Sequence, residues 1–176
     1  MDTNEFRHKL DEATQGFPRK HIKRIADLNG LYPHNISLYS NPNVFDNDDC
    51  FLYVFRDRIP SDLLTIFENL VTDNSDLFED IGHDLISKGF ISLHNDQRES
   101  DTIAVYFAGG AAKHFGRIEG NRIISKWGKG YAWKHDLFEV PLSYGNTVKF
   151  SNGEIDEDVF RKIVETHSRR RAEAQC

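Results

Sequence analysis

Cys50, His114 and Ser125 are the residues whose types and spacing suit nucleophilic chemistry. A thiolate attacks a carbonyl carbon, an imidazole within hydrogen-bond reach takes the thiol proton, and a polar group behind the imidazole orients it. Cys50 closes the stretch "DNDDC", so Asp46, Asp48 and Asp49 stand directly ahead of it. Nearby negative charge raises a thiol pKa, whereas a helix N-terminus and an imidazolium lower it. Two outcomes follow. If Asp48 or Asp49 caps a helix that begins at Cys50, the acids aim the sulfur; if they face it, they hold the thiol protonated.

The histidine belongs to a hairpin, "KHFGRIEGNRIISKWG". Gly120 and Asn121 separate two strand-like runs, and glycine supplies the positive φ that a type II′ turn needs at its first position. The turn sets the register: Glu119 opposes Arg122, Ile118 opposes Ile123, Arg117 opposes Ile124 and Gly116 opposes Ser125. Continued further, the same register pairs Phe115 with Lys126 and His114 with Trp127. Alternation then puts His114, Gly116, Ile118, Ile123, Ser125 and Trp127 on one face and Phe115, Arg117, Glu119, Arg122, Ile124 and Lys126 on the other. Ser125 is the diagonal neighbour of His114, Gly116 leaves space above the strand, and a helix laid on that face brings Cys50 to His114. Lys126 replaces Ser125 as orienting group if the register slips by one, and His135 lies in the same region beside Trp127 and Trp133. The competing reading makes His114 an edge-strand histidine and Ser125 an ordinary strand residue.

These residues need a helix and a sheet to hold them. Residues 4–28 read as helical on either side of a break at Gly16 and Pro18, and a loop rich in Asn, Gly and Pro follows. From Cys50 the apolar positions Phe51, Leu52, Val54 and Phe55 fit a short capped helix, with a buried strand as the alternative. "PSDLLTIFENLV" and "NSDLFEDIGHDLISKG" are two more helices, the latter stopping at Gly89. The period then changes: 102–108, 113–119, 122–128 and 145–151 are short β-rich segments of a mostly antiparallel sheet. Residues 154–166 form a last amphipathic helix, and "HSRRRAEAQC" reads as a frayed polar tail. The fold class is α+β, a helical N-terminal half packed on the sheet, in a single domain over residues 1–176. Within it, 1–44 form a helical and loop extension, 45–151 the core and 152–176 the C-terminal helix and tail.

At 176 residues, 39% hydrophobic and with 13 Phe, the chain can bury one sizeable core. A net charge of −6 disfavours nucleic-acid or anionic-membrane binding. No stretch approaches the ~20 apolar residues of a membrane span, and no apolar signal core opens the chain, so a cytoplasmic location or export without a cleaved signal is expected. With two cysteines, one of them the terminal Cys176, neither a structural disulfide nor a cysteine-rich zinc site is expected. The eight histidines share no metal spacing, and "FAGGAAKHFG" has neither Walker-A nor dinucleotide spacing, so no metal and no cofactor are expected.

The order "DDCFLYVF", a long connection, then "KHFGRIEGNRIIS" resembles the NlpC-type papain-like cysteine hydrolases, over roughly residues 45–60 and 100–150. The resemblance implies a papain-like arrangement in which Cys50 is the nucleophile, His114 the general base and Ser125 the orienting residue. Phe51 and Leu52 stand where the superfamily has small residues, and Ser125 where it has His, Asn or Gln. "SKWG" is also similar to a stretch in bacterial proteins of uncharacterised function. The expected activity is cleavage of an amide or peptide bond through a Cys50 thioester, with a peptide or protein substrate and an oxyanion held by backbone N–H groups such as that of Cys50. The alternatives are a non-enzymatic protein-interaction domain, binding a partner through its helical half, and an acyltransferase of the same fold.

Overall fold

The computed structural model describes residues 3–39, 48–71, 75–128 and 130–174; Asp46 and Cys176 lie outside them. Two helices open the chain, α1 (Thr3–Ala13) and α2 (Pro18–Leu28), broken where Gly16 takes a φ of 76° and Pro18 starts the second helix. A short strand β1 (Ser37–Leu38) precedes α3 (Cys50–Phe55), which passes into a 3₁₀ turn at Arg56–Arg58. Helices α4 (Ser61–Val71) and α5 (Ser75–Ser87) follow, the second ending before Gly89 at φ 83°. Strands β2 (Ile103–Ala108), β3 (Ala111–Glu119), β4 (Arg122–Lys126), β5 (Ala132–His135) and β6 (Thr147–Ser151) lead to α6 (Glu157–Ala174). The protein is α+β, as its pattern of periods implies.

One antiparallel sheet of six strands, in the order β1-β5-β4-β3-β2-β6, divides the apolar residues into two cores. On one face Ile103, Val105, Phe107 and Phe115 pack against α3, α4, α5 and α6; on the other Ala104, Tyr106, Ile123, Trp133 and Phe150 pack against α1 and α2. Both faces are covered, which is why β2 reads as a continuous apolar run rather than an alternating one. No helix among the described residues is long and apolar enough to cross a membrane.

The hairpin has the expected register from Glu119 opposite Arg122 to Gly116 opposite Ser125. Gly120 has φ 63° and no non-glycine residue among the described ones has positive φ, which selects the II′ turn over I′. The two further pairs are not formed. The β3–β4 ladder stops at Gly116, while Lys126 pairs onward with Ala132 of β5.

Four other expectations are corrected. The cysteine helix lies on the Phe115 face, not the His114 face, because Phe51 and Phe55 dock edge-on against Phe115 at centroid distances of 5.4 and 5.8 Å. The space above Gly116 is filled: a Cβ there would come within 2.4 Å of the Ile123 Cγ2 methyl. Strands β1 and β5 extend the sheet beyond the four expected, with Ser125 opposite Trp133 and Ile123 opposite His135. The C-terminal segment is helix to Ala174, since His167 is buried and Arg171 Nη1 donates to the carbonyls of Asn69 and Leu70, both at 3.0 Å.

Candidate active site

Asp49 is the N-cap of α3: its Oδ1 accepts from the backbone N–H groups of Phe51 and Leu52, both at 2.9 Å. Asp48 turns the other way, taking the guanidinium of Arg56, which also reaches Glu68 Oε1 at 2.7 Å. The two carboxylates are therefore spent on a helix cap and on an ion-pair chain to α4. Cys50, the first helical residue, is 9% exposed and unpaired with any other cysteine.

Why the sulfur sits where it does follows from the sheet. Ile118 donates its N–H to Thr102 O at 2.8 Å, so alternation along β3 turns the N–H groups of Arg117 and Phe115 the other way, toward β4. Arg117 finds Ile124 there, but at Phe115 the ladder has ended. Cys50 occupies the opening, and the Phe115 N–H is among the backbone donors that favour its thiolate, with those of Cys50 and Phe51. They do not prevail: burial first, and then the charge of Asp49, push the thiol up to about 12. Asp49 thus caps the helix and holds the thiol protonated at the same time.

His114, the neighbour of Phe115 in sequence, is buried on the opposite face, and its Nε2 has no hydrogen-bond partner. Tyr144, carried by the 3₁₀ turn Leu142–Tyr144, stacks on the imidazole with centroids 3.9 Å apart and planes 11° from parallel. Its hydroxyl is the buried end of the side chain. Burial and then the nearby Cys50 raise its pKa, while the Gly128 N–H opposes them. Cys50 thus reaches the break from one face, and Tyr144, stacked on His114, lies close enough on the other to feel its charge. Burial, reinforced by the neighbouring His135, lowers His114 well below the usual histidine range, so the imidazole is neutral with a lone pair or an N–H to offer.

Ser125 is buried but does not bond His114. Its Oγ lies 2.8 Å from His135 Nε2 and accepts from Trp127 Nε1 at 3.0 Å. His135 Nδ1 is 2.8 Å from the carbonyl of Asp136, which only accepts, so Nδ1 carries the proton and Nε2 takes the hydroxyl hydrogen of Ser125. Burial depresses His135 to about 4 and keeps this tautomer neutral. Trp127 stacks on Trp133 at 5.5 Å and tilts against His135 at 5.7 Å, both tryptophans being buried in the core. Lys126 lies on the other face, beside α3, and burial lowers it to about 8.

The residue that sequence reasoning missed is Tyr144. Arg7 of α1, itself buried, holds its turn: Nε donates to Val140 O at 3.1 Å, and Nη2 donates to Pro141 O at 3.4 Å and to Gly145 O. Gly145, at φ 108°, lets the turn lie against β2, since a Cβ there would meet Phe107 O at 2.0 Å. The signal available was "SYG" at the end of a polar loop, which marks a tight approach but not what approaches. Among the described residues no group of His, Cys, Asp and Glu is placed to hold a metal ion.

The chain matches no protein-family model, no curated protein and no solved structure.

Proposed function

We propose that the protein is a thiol hydrolase of papain-like, NlpC-type arrangement, cleaving an amide or peptide bond. The observation that carries this is the His114 Nε2, a buried acceptor or donor with no partner, beside the break in the sheet that receives the Cys50 sulfur. An unpaired buried nitrogen of this kind costs about 1–3 kcal/mol; His21 carries the same cost, and what sets His114 apart is its place next to Phe115, whose N–H favours the Cys50 thiolate.

The reaction starts from a neutral pair. As the Cys50 sulfur attacks the carbonyl carbon, His114 takes the thiol proton and gives it to the departing amine when the C–N bond breaks. A water then attacks the thioester, its proton passing to His114 and on to the leaving sulfur. Ser125 serves His135 and Trp127, so in this mechanism the imidazole of His114 is held by the face of Tyr144 instead.

A second reading rests on the thiol itself. Raised to about 12 and 9% exposed, Cys50 has the profile of a packing cysteine in a non-enzymatic interaction domain. Activity-based profiling against a panel of peptide and amide substrates, with Cys50→Ala and His114→Ala beside the wild type, separates the two. Turnover lost in both variants with folding intact supports the hydrolase; wild-type function retained by Cys50→Ala removes it. Products collected with and without an added amine distinguish hydrolysis from acyl transfer.

A further inference from the structure

We propose that the trough around the C-terminal half of α5, on the helical side of the sheet, docks an acidic and partly apolar segment of a protein partner. Three adjoining concavities form it. The first is lined by Lys88, Lys162 and Arg170 together with Val159 and Ile163 of α6. The second shares Asp84, His167 and Arg170 with the first and adds Lys113 at the start of β3. The third shares His83 and Ala112 with the second and runs over Ile86, Ile91, Leu93 and Phe107 to Lys149.

The charge of this surface is inverted relative to the chain. Among the described residues five cations line it against one carboxylate, Asp84, which already accepts from His167 at 3.0 Å. The whole chain carries 28 acidic and 22 basic residues. Lys88, Lys162 and Arg170 have no ion-pair partner among the described residues, whereas on α2 Lys23 is paired with Asp27 at 2.5 Å. A concave surface with a positive rim attracts carboxylates. Its floor selects among anions. Ile86, Ile91, Leu93, Phe107, Val159 and Ile163 offer apolar contact that a phosphate backbone cannot use, and the net charge of −6 repels a long polyanion. An acidic helix with apolar residues at every third or fourth position satisfies both rim and floor. None of these residues belongs to the Cys50 and His114 site, so the proposal stands whether or not the protein is a hydrolase.

The test uses the full chain and a fluorescein-labelled amphipathic peptide of Glu and Leu, followed by fluorescence anisotropy. Binding should weaken with added salt, vanish for the peptide's Gln counterpart and fall at least about tenfold in the Lys162→Glu, Arg170→Glu variant. Arg19→Glu with Lys20→Glu, on the opposite side of the sheet, should leave it unchanged. Circular dichroism confirms folding, and methyl NMR of the wild type should shift Ile86 and Ile163 on titration. The proposal is overturned if the peptide does not bind, if both charge-reversal variants lose it equally, or if a single-stranded oligonucleotide of equal charge binds more tightly through Lys162 and Arg170.

Discussion

Tyr144 lies face to face with His114, ring centroids 3.9 Å apart and planes 11° from parallel. The stack gives a buried imidazole with an unpartnered nitrogen a fixed plane without using a hydrogen bond. Tyr144→Phe keeps the ring and should lose little stability, whereas Tyr144→Leu should cost about 1–2 kcal/mol in urea denaturation. The histidine resonance separates the cases further. In the wild type and Tyr144→Phe the His114 ring proton should not titrate between pH 6 and 8; in Tyr144→Leu water reaches the ring and it should.

Cys50 predicts an alkaline weakness. Its pKa is about 12 in the folded protein against an ordinary 9.0, so the folded state keeps a proton that the unfolded state releases. The stabilisation is complete below pH 9 and is lost as pH rises toward 12, at about 1.4 kcal/mol per pH unit. Urea midpoints at pH 9 and 11 should therefore fall more steeply in the wild type than in Cys50→Ala. Asp49→Asn adds a test of cause, since Asn caps a helix about as well as Asp but carries no charge. With Cys176 replaced, iodoacetamide should label Cys50 of Asp49→Asn faster at pH 8, by up to about tenfold. An unchanged rate would mean that the Asp49 charge does not reach the sulfur.

His135 and His114 predict an acid weakness of the opposite sign. Both are held neutral below the usual histidine range, His135 down to about 4. The unfolded chain takes up protons near pH 6.5 that the folded chain refuses. Stability is thus full above pH 6.5 and falls as pH drops, by about 1.4 kcal/mol per unit for each histidine. His135→Gln should flatten this dependence between pH 6.5 and 5, measured by urea denaturation.

Much of this site was legible because hairpin chemistry is local. Gly120 at φ 63° fixed the turn, and the turn fixed four cross-strand pairs and the shared face of His114 and Ser125. The acids ahead of Cys50 announced the cap for the same reason, as an Asp reaches only two or three residues along the chain. What was hidden depended on contacts distant in sequence. Cys50 meets the Phe115 N–H only because Phe51 and Phe55 dock on the Phe115 ring. His135 claims Ser125 only because β5 pairs beside β4, and "AWKH" is too short to declare itself a strand. Tyr144 depends on Arg7, more than 130 residues away.

Arg7 should therefore matter to the site without touching it. Its guanidinium is buried and donates to the carbonyls of Val140, Pro141 and Gly145, on either side of Tyr144. Arg7→Ala strands these acceptors and should cost about 2–3 kcal/mol. Arg7→Lys keeps the charge but not the fork and should recover part of that. In both, the His114 resonance should shift toward that of Tyr144→Leu, which a purely global loss of stability would not produce below the unfolding transition.

Ser125 separates two roles that its position alone leaves mixed. As the orienting residue of His114 it would have to bond that imidazole, but its hydroxyl hydrogen goes to His135 Nε2 and its oxygen takes the Trp127 N–H. Ser125→Ala leaves two buried partners unsatisfied at once, so it should destabilise the protein by about 1–3 kcal/mol. It should also remove the hydroxyl donor that Nε2 of His135 accepts from, read as a shift of the His135 resonance. Neither change reaches Cys50 directly. Iodoacetamide labelling of Cys50, and any Cys50-dependent turnover measured where the variant is fully folded, should stay within about twofold of wild type, because Tyr144 and not Ser125 contacts the His114 ring. A loss of turnover by a hundredfold or more, with stability and the His135 resonance unchanged, would return Ser125 to the position behind His114 and remove Tyr144 from it.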